Sequence, residues 1–357
     1  MGGAKTPTDS GGESMDTVTT LGIDLAKSVF QLHGVNAHGR VSLQKQLRRG
    51  VLLKTVAQLP PCVIGMEACS TAHYWARQFE RFGHTVRLMS PQYVKPYIKG
   101  QKNDQSDAEG ICEAVSRPNM RFVPVKSLEQ QDLQSAHRVR QGWMGERTAL
   151  INRVRGLLGE YGVALARSPA TVKRELPGML EDTQNGVTAI ARHLLRQLLD
   201  HLKDLEERIA VIESLIEELG SQHEVVERLR TIPGIGLLTA TAMVAAAGNG
   251  KAFRSGRQLA AWLGLVPRQY SSGGKPRLLG ISKRGDKYLR GLLVHGARSV
   301  MLYAERQARP NQLWLNALRE RRGKYRACVA QANKTARIAW AVMTKGEIYR
   351  AALVTPV

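Results

Sequence analysis

The chain has 357 residues, 43% of them hydrophobic, enough to build two or three domains with cores that need no disulfide or metal staple. Its 52 Lys and Arg outnumber 30 Asp and Glu for a formal net charge of +22, well beyond what solubility requires, so the expected partner is a polyanion, nucleic acid first. No apolar run reaches the roughly 18 residues of a membrane span and no signal peptide opens the chain, so the expectation is no membrane and a cytoplasmic protein.

Residues 1–14, MGGAKTPTDSGGES, are small and polar and are set aside as a disordered extension or tag. From Thr17 the pattern predicts a strand (TVTTLGID), a second strand (SVFQLHGV), a hairpin turn (NAHG) and a third strand (RVSLQKQL). The short apolar run CVIGMEA follows. After it come a helix (TAHYWARQFERFG), a strand (HTVRLMS) and the segment KNDQSDAEGICEAVSRP, helical in its later part. Three strands and then alternating helices and strands is the order of an RNase H-like α/β domain, placed at 15–125. Cys62, Cys69, Cys112 and Cys328 form no CxxC pair and no regular spacing with histidine, so they read as reduced thiols rather than a zinc site or a disulfide framework.

From about Leu128 the chain becomes helix-prone and charge-rich. Leu198, Leu202, Leu205, Ile209, Ile212, Ile216 and Leu219 recur at spacings of four and three, a heptad seam. A helix at 128–160 of the same chain and a second subunit fit that spacing equally well as its partner. This helical, coiled-coil-bearing region is set at 126–225, and a mainly helical C-terminal domain at 226–357. The latter opens with LRTIPGIGLLTATAMVAAAG, two helical stretches around PGIG. They make a helix-hairpin-helix in which Gly234 and Gly236 let backbone N–H groups approach a phosphate, with a tight turn lacking any ligand as the alternative. Residues 251–290 carry ten Lys and Arg and one acid, Asp286, which favours the phosphate reading. Within them PRQYSSGGKPRLLGISKRG sets Ser271 and Ser272 among glycines and the cations Arg268, Lys275, Arg277, Lys283 and Arg284, expected to bind nucleic acid. By composition alone both serines are ordinary turn residues.

The acids shift that balance. Asp24 closes the first strand and Glu67 the fourth, so neighbouring strands bring both to one end of a sheet, and Asp104 and Asp107 share one face if helical. Each has a plain alternative as a turn, cap or first-turn acid. Together they form a carboxylate set able to coordinate divalent cations through oxygen, and two Mg²⁺ ions about 3.5–4 Å apart stabilise both oxygens of an in-line phosphoryl displacement.

The ordered motifs GIDLAK, MEAC, KNDQSDA, IPGIG and GLVPRQYSSGGKPRLLGISKRGDKYLR resemble the DEDD-type insertion-sequence transposases, the IS-110 family with its IS-1111 branch, which includes the Piv invertases. The resemblance runs from about Thr17 to the C-terminus. It implies a RuvC-like domain, a coiled-coil linker and a C-terminal transposase domain that supplies a serine. The activity it implies is that of a bacterial, nucleoid-associated, site-specific recombinase guided by a structured noncoding bridge RNA that pairs with target and donor DNA. On this resemblance Asp24, Glu67, Asp104 and Asp107 are the catalytic, Mg²⁺-binding tetrad and Ser272 is the nucleophile. Ser70 departs from the glycine common after MEAC in relatives but removes no ligand. The expected product is a phosphoserine at the 5′ end beside a free 3′-hydroxyl, with Arg268, Lys275 and Arg277 neutralising the phosphate. No ATP is needed, and no GxxxxGK[ST] loop is present to bind it. The alternative is a RuvC-like hydrolytic nuclease or Holliday-junction resolvase, in which water attacks and Ser272 is a loop residue. Exchange of two duplexes and the heptad seam lead to the expectation of a homo-oligomer, a dimer that becomes a tetramer during strand exchange.

Overall fold

Alternating apolar and polar residues build the predicted strands β1 (Thr20–Leu25), β2 (Val29–Val35) and β3 (Val41–Arg48) as an antiparallel meander. Asn36 shapes the turn between β2 and β3, its Oδ1 accepting from the amides of His38 and Arg40 at 2.9 Å each. The structure is a computed structural model, and it describes residues 17–99, 103–166, 168–304 and 310–350, apart from the side chains of 169 and 310–312. The expected extension at 1–14 lies outside these residues. The chain divides into two compact units between Lys126 and Ser127.

In the first unit, β3 leads into α1 (Arg49–Ala57), a helix that the sequence pattern does not announce because only Leu52 and Val56 of it are buried. Then follow β4 (Val63–Glu67), α2 (Ala72–Arg81), β5 (Thr85–Met89), the short α3 (Pro91–Val94), α4 (Asp104–Val115) and β6 (Phe122–Val123). The result is a mixed α/β unit with one six-stranded sheet in the order β3-β2-β1-β4-β5-β6. Strands β1, β4 and β5 run parallel, and the others are antiparallel to their neighbours. Side chains alternate across the sheet. Leu21 and Ile23 of β1 and Ile64 and Met66 of β4 point into a core shared with Phe30, Trp75 and Phe79, where the Trp75 ring stands 5.2 Å from Phe30 in an edge-on contact. The opposite face of β1 carries α4.

The second unit begins with α5 (Leu128–Gly159), opened by a capping box: Ser127 Oγ accepts from the Gln130 amide and Gln130 Oε1 accepts from the Ser127 amide, both at 3.1 Å. After α6 (Pro169–Glu181) comes α7 (Ala189–Ser221), which carries the heptad seam. The seam closes on α5 of the same chain. Leu195, Leu199 and Leu202 pack with Leu150, Ile151, Val154 and Leu158, and Ile216 packs with Leu133 and Ala136. Leu202, Leu205, Ile209 and Ile216 are buried, whereas Leu219 is exposed. Arg140 on α5 donates through Nε to Glu213 on α7 at 2.7 Å. At the far end Arg192 donates to the carbonyls of Met179, Leu180 and Asp182 at 3.0, 2.9 and 2.6 Å, satisfying the last carbonyls of α6 from the first turn of α7.

The remaining elements are α8 (Glu224–Arg230), α9 (Leu237–Ala247), α10 (Gly256–Trp262), a hairpin of β7 (Pro267–Gln269) and β8 (Leu278–Ile281), α11 (Lys287–Ala304), α12 (Pro310–Arg322) and α13 (Lys324–Lys345). Their shared core includes Leu229, Met243, Leu259, Leu293, Met301 and Ala336. His137 of α5 is buried between two of these helices, its Nε2 3.0 Å from Thr241 Oγ1 on α9 and its Nδ1 3.0 Å from Tyr288 Oη on α11. The Thr241 hydroxyl donates to the Leu237 carbonyl at 2.7 Å, so the imidazole donates from Nε2 and accepts the tyrosine proton at Nδ1. Among the described residues no helix is long and apolar enough to cross a membrane.

Candidate functional site

Three of the four predicted acids owe their placement to one close contact. Gly22 lies against α4 so tightly that a Cβ there would stand 2.3 Å from the Ala108 carbonyl oxygen and 2.6 Å from the Cys112 amide. The Cys112 thiol in turn reaches the Thr20 carbonyl at 3.7 Å. Helix α4 therefore runs antiparallel to β1, and its first turn, holding Asp104 and Asp107, comes to the carboxyl end of the strand, where Asp24 stands. Asn103 starts that turn with a capping box, its Oδ1 accepting from the Ser106 amide at 2.8 Å.

Glu67 arrives through sheet register. In the parallel β1–β4 ladder Ile23 pairs with Met66, so Asp24 and Glu67 follow side by side at the strand ends. Both share the side-chain parity of Gly22 and Gly65, the residues that face α4, since a Cβ at Gly65 would stand 2.8 Å from Val115 Cβ. Cys69 senses the pair: burial raises its thiol pKa, and the carboxylates of Glu67 and Asp24 raise it further. Asp24, Glu67 and Asp107 are half-buried and Asp104 is exposed.

Among the described residues no three His, Cys, Asp or Glu side chains are grouped tightly enough, as they stand, to hold a metal ion. The donor chemistry still fits a hard divalent cation, because the set is carboxylate oxygen throughout. Among the described residues, moreover, Asp107 Oδ1 is buried without a hydrogen-bond partner.

In the second unit the serine segment forms a β-hairpin rather than a loop. Gly273 and Gly274 both have positive φ, +55° and +75°, as a two-residue hairpin turn requires, and the Lys275 amide donates to the Ser272 carbonyl at 3.1 Å across it. The two serines differ here. Ser271 Oγ accepts from Gln269 Nε2 at 3.0 Å and from the Arg277 amide at 3.2 Å, so that hydroxyl braces the hairpin from within. Ser272 is exposed, and among the described residues its hydroxyl has no hydrogen-bond partner. Lys275 faces it across the turn, Arg268 and Arg277 lie further along the hairpin, and Lys283 and Arg284 follow its base, where the Lys283 amide donates to the Gly264 carbonyl at 3.1 Å; all five are exposed, and none pairs with a described carboxylate.

The PGIG turn joins α8 to α9. Gly234, with φ +84°, lies against Gly296 of α11, where a Cβ would stand 2.8 Å from the Gly296 carbonyl oxygen, a packing role that the motif does not disclose. Gly236 caps α9, with nothing within 4 Å of where its Cβ would be. The exposed Trp314 and Tyr325 are invisible to sequence reasoning, because their isolated positions in basic helices carry no motif.

Residues 226–311 match the transposase family IS116/IS110/IS902, and residues 21–163 match a second transposase family. A "Probable family 20 transposase" of Pseudomonas aeruginosa is 50% identical over 93% of this chain and 99% of its own length. The "Transposase for insertion sequence element IS1111A" of Coxiella burnetii is 45% identical over 94% of this chain and 93% of its own. The "Transposase for insertion sequence element IS1328" of Yersinia enterocolitica is 42% identical over 94% and 99%, respectively.

Proposed function

The chain belongs to the IS116/IS110/IS902 transposase family, and from that premise we propose that it is a site-specific recombinase that moves an insertion sequence through a phosphoserine intermediate, guided by a structured noncoding RNA. Ser272 Oγ attacks a backbone phosphorus. A serine–phosphate bond forms as the bond to the 3′-oxygen breaks, and the serine proton ends on that oxygen as a 3′-hydroxyl. The reverse attack by a 3′-hydroxyl rejoins DNA and frees the serine, so no nucleotide cofactor is consumed. Asp24, Glu67, Asp104 and Asp107, on an RNase H-like framework, would hold Mg²⁺, two ions in the full site. The metal would supply charge stabilisation at the reacting phosphate. Arg268, Lys275 and Arg277 neutralise phosphate charge beside the serine, Lys283 and Arg284 extend that surface, and the amides near Gly234 and Gly236 contact the DNA backbone. Joining two duplexes in one event calls for more than one serine, hence a homo-oligomer.

The observation that carries this reading is the contrast within the hairpin: Ser271 is consumed by internal hydrogen bonds while Ser272 is exposed among cations. The test is to incubate the protein with element-end DNA and the element's noncoding RNA, then resolve protein–DNA adducts on a denaturing gel. The expected result is an adduct that disappears in Ser272→Ala, in EDTA and in Ala substitutions of Asp24, Glu67, Asp104 or Asp107. Cleaved DNA with no adduct at any time would overturn it in favour of hydrolysis by water. Adduct formation that does not depend on co-expressed RNA would remove the guide from the reading.

A further inference from the structure

Beside the serine hairpin the second unit carries an open groove of about 1600 Å³, walled by β8, the start of α10, and α12 and α13. A pocket for one small molecule measures about 300–1000 Å³, so this groove suits a segment of polymer. Its lining includes the cations Arg257, Arg326, Lys334 and Arg337 and no carboxylate. Among the described residues none of those cations is in an ion pair. Three of them lie on one side of α13, where the eleven steps from Arg326 to Arg337 rise about 16 Å.

Two aromatic rings stand in the same wall. Tyr325 is 84% exposed and Trp314 42% exposed, although burying such rings is favourable. Lys334 Nζ sits 4.6 Å from the Trp314 ring centroid, which fixes the indole at the groove by a cation–π contact. Unpaired cations interleaved with exposed flat rings are the chemistry that holds unstacked bases along a phosphate backbone. A duplex offers its bases only at their edges and leaves such rings without partners.

We propose that this groove binds a single-stranded stretch of DNA. The inference rests on the proposed function, since the strand opened at the hairpin is what places unpaired nucleotides beside β8. DNA rather than RNA is its occupant, because the strand that the hairpin serine cuts is DNA, and the oligo-U arm of the test separates the two.

The test uses full-length Ser272→Ala protein in EDTA, so that it reads binding apart from any covalent chemistry. Fluorescence anisotropy is measured with a labelled oligo-dT, an oligo-U of the same length and a DNA duplex of that length. In this background Trp314→Ala and Tyr325→Ala together are expected to weaken oligo-dT binding at least tenfold, about what stacking one base contributes, and to leave duplex binding within twofold. Trp314→Phe with Tyr325→Phe keeps a ring at each position and should restore most of the affinity. Tyr325→Ala alone, at the more exposed position, should show the same selective loss in smaller measure, which keeps the question open to test if the double variant unfolds. Equal losses for duplex and single strand would reduce the groove to a general phosphate surface and overturn the proposal. A selective loss for oligo-U, or no loss at all, would also overturn it. Because these readings need no adduct, the groove and the phosphoserine chemistry stand or fall separately.

Discussion

At the scale of single residues the hairpin makes a sharp distinction between neighbours. Ser271→Ala deletes the acceptor for Gln269 Nε2 and the Arg277 amide, so the expected outcome is a looser hairpin, weakened by about 1 kcal/mol for each hydrogen bond, that still forms the covalent DNA adduct. Adduct formation abolished in Ser271→Ala but kept in Ser272→Ala would place the nucleophile one residue earlier. The distinction is not legible from composition, since two serines among glycines look alike until the register of the turn is known. The acids are more legible. Asp24 and Glu67 end predicted strands and lie on them, and Asp104 and Asp107, read as sharing a face only if helical, form the first turn of a helix that the sequence predicts in its later part. What the sequence could not supply is the antiparallel run of α4 over β1, which depends on Gly22.

At the scale of elements, that close approach predicts a defect with every carboxylate in place. Gly22→Ala forces a methyl group into the backbone of α4, and overpacking of this kind costs about 1–3 kcal/mol. The first unit should melt earlier and DNA cleavage should fall, while DNA binding persists; wild-type cleavage by this variant would show that α4 does not set the acids. In the second unit His137 joins three helices, and burial, with Arg140 adding and Asp286 opposing, pushes it down from 6.5 to about 4. Above about pH 6.5 the imidazole is neutral both folded and unfolded. Between that pH and about 4 only the unfolded chain takes up the proton, so stability falls with pH by up to roughly 3 kcal/mol and changes no further below about pH 4. Denaturant midpoints measured from pH 7 to 4 should show that decline, and His137→Gln should flatten it. Helix α7 is legible through its heptads, but its partner is not, because spacing describes one face and says nothing of what covers it. The segment 267–285 reads as a loop from its composition, because the residues flanking Gly273 and Gly274 are polar or basic and show none of the alternation that marks a strand.

At the scale of the whole molecule the net charge of +22 makes affinity for any nucleic acid fall steeply with salt. A log–log plot of binding constant against salt should be steep for the wild type and shallower by about two for Lys275→Ala with Arg277→Ala, about one for each phosphate no longer neutralised. An unchanged slope would remove the hairpin cations from the interface. Composition thus reports the class of partner, and the order of strands and helices reports the architecture of the first unit. The burial of the seam within one chain depends on long-range packing that local pattern does not encode. The tight fit at Gly22 also bears on inheritance. Every missense change in a glycine codon adds at least one carbon, and here that carbon meets backbone atoms of α4, which cannot rotate aside as a side chain would. A drifting gene copy is therefore expected to be weakened by any amino-acid replacement at this codon, even while all four acids and Ser272 are still spelled correctly.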